Sequence, residues 1–377
     1  MQVPQPAFVT LSDGRKLAYD EVSPPNPQDA KGTILLLTGL GSKRLGWMRQ
    51  MEAFGREYRT LALDHRDTGD SDEVEVPYTV ADLADDASTL LSALGIARAN
   101  VVGISLGGFV ALQLAVHHPE QIDKLVLVST SAGGATHVNP SPEVAALLAP
   151  DTNLEIGERA VRNYSAIMAA QYVQAHPEEL ERIAETARYR PMSQGAYMRQ
   201  LQAALAHDVT SELQSIRMPT LVIHGEVDPL VPPPNGAYLA GAIPGARHMV
   251  YPGVGHIPIV ERADDFNRDV LAFLGGELGE GNTEADANSS AAESLNAGQA
   301  TQAQAENQPA SQSQPLDQPL DQPPSQAPSD TPTPAAELQP AVAPPAATDT
   351  DAKPSGGRGP FPFIWRNRKR ERKLTGD

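Results

Sequence analysis

Three residues far apart in the chain have the types and settings needed for a nucleophilic reaction. Ser105 stands in "VGISLGGFV", flanked by Gly103 and Gly107 at the point where an apolar run gives way to a helical pattern. A serine hydroxyl is a weak nucleophile unless a base takes its proton, and a histidine base needs an acid to hold its tautomer. "LVIHGEVDPLVP" supplies Asp228, three residues past the glycine that ends an apolar run, and "VYPGVGHIP" supplies His256 in a Gly-rich loop. Glu226 is the rival acid. His224 is the rival base, although its place at the end of a buried run marks it as a packed core residue. His117 and His118 fall at a helix end, where histidines cap carbonyls. The alternative for the Ser105 segment is a Gly-rich strand-to-helix turn of the dinucleotide-binding kind, but the GxGxxG pattern is absent.

These residues need a scaffold, and the pattern of the chain describes one. "FVTLSDGRKLAYDE" alternates on both sides of Asp13-Gly14, a hairpin signal. "TILLLTG" is continuously apolar, as a strand covered on both faces must be. A helix around 46–54, the strand "RTLALD", a helix over about 80–94, the strand "NVVGIS", a helix over about 106–117 and the strand "KLVLVST" follow in turn. Such alternation predicts a parallel sheet built from right-handed crossovers, with sites at the C-terminal ends of its strands. From about 140 to 216 the pattern is helical only, in segments such as "YSAIMAAQYV" and "AYMRQLQAALA". Strands resume with "PTLVIHG" and "RHMVYPG", and an amphipathic helix closes the region at about 263–274. The reading is one α/β sheet domain over 1–274 with a helical insertion.

Taken in this order, "LLLTGLG", "LALDHRDTGDSD", "NVVGISLGGFVALQLA", "PTLVIHGEVDPLVP" and "YPGVGHIPIVERADDF" resemble the α/β-hydrolase fold superfamily over about residues 5–274. The resemblance implies a nucleophile elbow at Ser105, with glycines where backbone and helix approach too closely for side chains, and the chain order Ser, Asp, His. It implies a catalytic triad of Ser105, Asp228 and His256. It also implies an oxyanion hole made of the backbone N–H groups of Leu40 and Leu106. The family usually has His-Gly where this chain has Thr38-Gly39, which puts that loop's supporting contacts in question. "DHRDTGDS" is similar to the family's Asp-x-Arg-Gly-x-Gly-x-Ser loop with Asp67 in place of the first glycine, a variant found in a subset that includes aclacinomycin-type methyl esterases. Arg66, Asp67 and Asp70 are expected to brace this loop by charge-assisted hydrogen bonds.

The expected activity is cofactor-independent hydrolysis of a carboxylic ester or lactone by an acyl-enzyme route. Carbon–carbon hydrolysis and peracid formation are other uses of the same triad, and a slow-turnover ligand-binding or signalling protein is the alternative class. No metal or phosphate motif is present. The insertion is expected to form a lid over Ser105, with Tyr164, Met168, Tyr172, Met192, Tyr197 and Met198 in a mostly apolar substrate pocket. Their alternative role is to pack the insertion onto the sheet domain.

Composition sets outer bounds. The chain has 377 residues, no cysteine, and 47 acidic against 29 basic residues, for a formal charge of −18. Disulfides, thiolate nucleophiles and Cys-bound metals are excluded, and a nucleic-acid-binding face on the folded region is not expected. The start "MQVPQPAFVT" lacks signal-peptide character and no run of about 18 apolar residues appears, so the expected location is the cytoplasm. Residues 275–354 form an acidic Pro/Gln/Ala-rich linker, including "QPLDQPLDQP", with too few large apolar residues to fold. At 355–377 the character reverses: "GPFPFIWRNRKRERK" sets aromatic residues beside a basic cluster suited to an anionic membrane surface or another polyanion. A solvated chain end is the alternative there.

Overall fold

The apolar runs owe their continuity to a sheet with helices on both sides. In the computed structural model, which describes residues 3–150 and 153–277, eight strands form one sheet in the order β1-β2-β4-β3-β5-β6-β7-β8. These are β1 (Ala7–Thr10), β2 (Lys16–Val22), β3 (Thr33–Leu37), β4 (Arg59–Leu63), β5 (Ala99–Ile104), β6 (Ile122–Val128), β7 (Thr220–Gly225) and β8 (Arg247–Tyr251). The β1–β2 hairpin and the β2–β4 pair are antiparallel, and all other pairs are parallel.

The period-2 alternation of the strands divides the core in two. Leu35, Leu37, Leu61, Val101, Leu125 and Val222 join one apolar cluster with the helices α2 (Val80–Ala93) and α3 (Leu106–His117). Their neighbours Ile34, Leu36, Ala62, Val102, Val126 and Leu221 join a second cluster with α1 (Met48–Phe54) and a C-terminal helix that contributes Phe266 and Val270. A one-residue slip of any strand would exchange the two sets.

Between β6 and β7 the chain leaves the sheet and forms α4 (Pro142–Ala145), α5 (Ile156–Ile167), α6 (Ala170–Ala175), α7 (Pro177–Arg188) and α8 (Gln194–Leu205). After β7 come α9 (Pro234–Ala242), α10 (Pro258–Glu261) and α11 (Ala263–Gly275). The apolar pattern does not announce α9, whose segment "PPPNGAYLAGA" opens with prolines and carries two glycines; packing against β7 and β8 outweighs that weak propensity. The helix expected at 46–54 begins as a 3-10 turn over Arg44–Trp47. The linker from 278 onward and the aromatic-basic end at 355–377 lie outside the described residues.

The order of strands also locates the site. β4 lies on one side of β3 and β5 on the other, so the connections leaving β3 and β5 diverge and open a crevice at their C-terminal ends. The loop at 38–43 and the turn at Ser105 flank that crevice.

Candidate active site

Ser105 fills the one-residue turn between β5 and α3 with φ 55° and ψ −120°. A non-glycine residue in such a conformation costs on the order of 1–3 kcal/mol and needs surroundings that enforce it. Here hydrogen bonds to the Ser105 main chain do so: its N–H donates to Val128 O (2.9 Å), and its carbonyl accepts from Gly108 N–H (2.8 Å) and the Thr130 hydroxyl (2.8 Å). Gly103 and Gly107 are required by close approach, since a Cβ on the first would collide with the Gly107 carbonyl and one on the second with the Leu37 carbonyl.

Two backbone donors border this serine. Leu106 opens α3, so its N–H has no intrahelical acceptor. Leu40 follows Gly39, where an added Cβ would lie 3.8 Å from Ser105 Oγ. Neither the Leu40 nor the Leu106 N–H donates to a protein acceptor among the described residues. Thr38, standing where the family has histidine, supports the loop through its hydroxyl, which donates to Ser42 O (3.4 Å). Gly41 N–H is held by the buried Gln200 side chain from α8 (2.7 Å).

Asp228 and His256 meet after β7 and β8. His256 Nδ1 donates to Asp228 Oδ2 at 2.8 Å, with both residues almost wholly buried. The other carboxylate oxygen, Oδ1, accepts the N–H groups of Leu230 and Val231, each at 2.9 Å. Burial alone would raise the Asp228 pKa; the charge of His256 and hydrogen bonds from His224 and His256 outweigh it and hold the carboxyl at about 2. Neither rival lines the cavity, although His224 Nε2 lies 3.5 Å from Asp228 Oδ2. Glu226 is exposed and accepts Gly253 N–H (2.8 Å), while His224 is fully buried with Nε2 against Val231 O (2.7 Å).

A cavity of about 410 Å³ joins these groups, lined by Ser105, His256, Leu40 and Leu230 from the sheet side and by the insertion from the other. Tyr164, Met192 and Tyr197 line it. Met168, Tyr172 and Met198, expected in the same pocket, do not. Met168 is buried where the chain leaves α5 and passes over Gly255, and the Tyr172 hydroxyl donates to Val260 O (3.1 Å) while its ring packs on His176. Helical spacing alone could not tell the inward face of each short helix from the face that packs on its neighbours.

The alpha/beta hydrolase fold profile matches residues 32–263. The chain belongs to the α/β hydrolase family. A curated relative, the putative carbamate hydrolase RutD of Caulobacter sp. strain K31, is 34% identical over 261 residues, covering 69% of this chain and 96% of its own. Among solved structures, the enol-lactonase from Burkholderia xenovorans LB400 superposes with a TM-score of 0.62 at 29% identity, covering 71% of this chain and all of its own. An N-acyl homoserine lactone degrading enzyme superposes with a TM-score of 0.61 at 27% identity over the same shares.

Within this α/β hydrolase one support was not read from the sequence, and a second, the expected charge-assisted bracing by Arg66, Asp67 and Asp70, reaches partners that the sequence did not name. Glu261, at the end of α10, is buried and accepts three main-chain N–H groups, from Ala169 (2.8 Å), Gly255 (2.9 Å) and Ile257 (2.9 Å). It therefore pins both neighbours of His256 to the start of α6. The available signal was a carboxylate five residues after His256, inside an otherwise apolar "IPIVE".

The second support ties the Asp64–Ser71 loop of the hydrolase to its insertion. Asp67 adopts φ 70°, the left-handed region that the family's glycine serves and that aspartate tolerates. Its carboxylate accepts Val74 N–H (2.7 Å) and both arms of Arg199 from α8 (3.0 and 3.2 Å). Asp70 takes the Tyr189 hydroxyl (2.6 Å), Arg190 (3.0 Å) and the fully buried Arg44 (2.9 Å), whose guanidinium also meets Asp64 at 2.5 Å. Arg66 turns the other way, onto Asp86 (2.6 Å).

Proposed function

We propose that this hydrolase cleaves a carboxylic ester or lactone through Ser105, His256 and Asp228. The observation that carries the reading is the buried 2.8 Å hydrogen bond between His256 and Asp228, in a cavity that also receives the strained Ser105. Ser105 Oγ attacks the carbonyl carbon as its proton passes to His256 Nε2. Asp228, kept ionised by its low pKa, holds the imidazolium through Nδ1 without taking its proton. The developing oxyanion is met by the Leu40 and Leu106 N–H groups, which have no other acceptor among the described residues. Collapse of the tetrahedral species breaks the bond to the alkoxy oxygen, which leaves with the proton from His256. Water then attacks the acyl-enzyme, His256 taking and returning a proton in the same way.

The helices α5, α7 and α8 and the segment before α8 act as a lid whose apolar inner residues, such as Ile156, Ile183 and Met192, receive the body of a mostly apolar small molecule. The structural neighbours named for lactone substrates support the ester or lactone bond. The name of the curated relative favours a second reading, a carbamate, in which the same attack takes place at a carbamoyl carbon.

Initial rates across a panel of nitrophenyl esters, lactones and aryl carbamates test both readings. The expected result is turnover that falls by about 10⁴-fold or more in Ser105→Ala with no loss of folding. Turnover that survives in Ser105→Ala overturns the mechanism. A panel in which only carbamates react selects the second reading.

A further inference from the structure

The cavity wall runs against the charge of the molecule. The chain carries a formal −18, yet four basic side chains, Lys43, Arg49, Arg159 and Arg182, line the cavity against one carboxylate, Glu179. Glu179 is already shared between Arg49 and Arg182. Lys43 differs from these arginines. It is 5% exposed, and lysine is almost never so buried unless paired. Its Nζ donates to two main-chain carbonyls in the last turn of α7, Thr186 O (3.1 Å) and Ala187 O (3.4 Å), and among the described residues it forms no ion pair with a carboxylate. Asp64, the carboxylate whose charge reaches it, is committed to Arg44 and to the N–H groups of Arg44 and Asp70.

Lys43 also lines the same cavity as Ser105 and His256, on the loop that passes Ser105. Ser42 N–H closes a turn onto Gly39 O (3.1 Å), so the chain folds back between the residue touching Ser105 and Lys43. A turn of this kind keeps its end Cα atoms within about 7 Å, which places the Lys43 backbone within about 11 Å of Gly39. The Ser42 and Tyr164 hydroxyls, 3.3 Å apart, line the same wall.

We infer that Lys43 is an anion-binding residue of the cavity and that the substrate is an ester or lactone bearing a carboxylate, which its ammonium receives. A buried ammonium whose hydrogen bonds go to neutral carbonyls is costly, and an entering carboxylate supplies a counter-charge in direct contact. Burial draws the Lys43 pKa down to about 8, with the charge of Asp64 opposing it, in keeping with a cation that lacks a full partner. The burial of Lys43 also leaves the field of its ammonium weakly screened toward an incoming anion. This inference rests on the hydrolase reading of Ser105, and its test is arranged so that the two fail separately.

The test compares mono(4-nitrophenyl) glutarate with its neutral isostere, 4-nitrophenyl 5-methylhexanoate, on the full chain at pH 7. The wild-type protein is expected to prefer the anionic ester in kcat/KM by about tenfold or more. Lys43→Met and Lys43→Gln should each lower that ratio by a similar factor, whereas Lys43→Arg should retain most of it. Calorimetric binding of glutarate, which needs no turnover, should be present in the wild-type protein and lost in Lys43→Met. A wild-type ratio at or below one, or charge-removing variants that keep both the ratio and glutarate binding, overturns the anion-binding role. Ester turnover persisting in Ser105→Ala would instead remove the hydrolase reading, and the calorimetry would still decide the role of Lys43.

Discussion

At the scale of single residues the proposed reaction turns on keeping one buried carboxylate ionised. Asp228 has its carboxyl held at about 2 against an ordinary 3.8, so its contribution to stability is fully present above about pH 4 and is lost as the pH falls to about 2. A difference of nearly two units corresponds to about 2 kcal/mol. Urea unfolding at pH 6 and pH 2 should therefore show the wild-type protein losing about 2 kcal/mol more than Asp228→Asn over that interval; parallel losses would show that the native pKa is not depressed. The same variant should reduce ester turnover by about 10⁴-fold, as a misoriented histidine does in triads of this kind. Ser105, Asp228 and His256 could be picked from the sequence because each follows a recognisable strand end. Lys43 could not, since its burial is created by α7, more than a hundred residues away.

At the scale of elements, two small structures position the site, and both join segments distant in the chain. The first is the His256 loop, whose flanking N–H groups converge on Glu261. Glu261→Gln keeps the shape but loses the charge and one acceptor oxygen, leaving buried donors poorly matched. The expected outcome is a loss of about 2–4 kcal/mol in stability, faster amide exchange at residues 255–257, and a fall in kcat larger than any change in KM. Unchanged exchange at those amides would assign Glu261 no part in holding the loop. The second is the clasp from Asp67 and Asp70 to α8 and the segment before it, which the sequence presents only as a loop rich in opposite charges. The β-strands were readable because a two-sided core demands continuous apolar runs; α9 was not, because its helicity is imposed by the strands beneath it.

At the scale of the whole molecule, the cavity is lined among the described residues by segments running from Thr38 to Val260. Among the described residues no helix is long and apolar enough to cross a membrane. The basic, aromatic stretch at 355–377 lies outside the described residues, and the expectation that it binds an anionic surface is tested on the full chain. Deleting it should leave ester turnover within about twofold of the full chain, while abolishing salt-sensitive co-sedimentation with vesicles that contain an anionic lipid. A full-length protein that never sediments with such vesicles at low salt would remove the membrane reading of that segment.

The sequence alone determined the two-sided sheet, the family and the order of Ser105, Asp228 and His256, because periodicity, glycine spacing and strand ends are local properties that survive without the fold. Only the tertiary structure decided which half of the insertion's Tyr and Met residues face the cavity, which carboxylate holds the histidine loop, and that a basic cavity wall lies inside an acidic chain. Those outcomes depend on helices of the insertion packing over strands up to some 150 residues away. Neighbours of that kind set burial and charge, and they leave no mark in the spacing of the residues they surround.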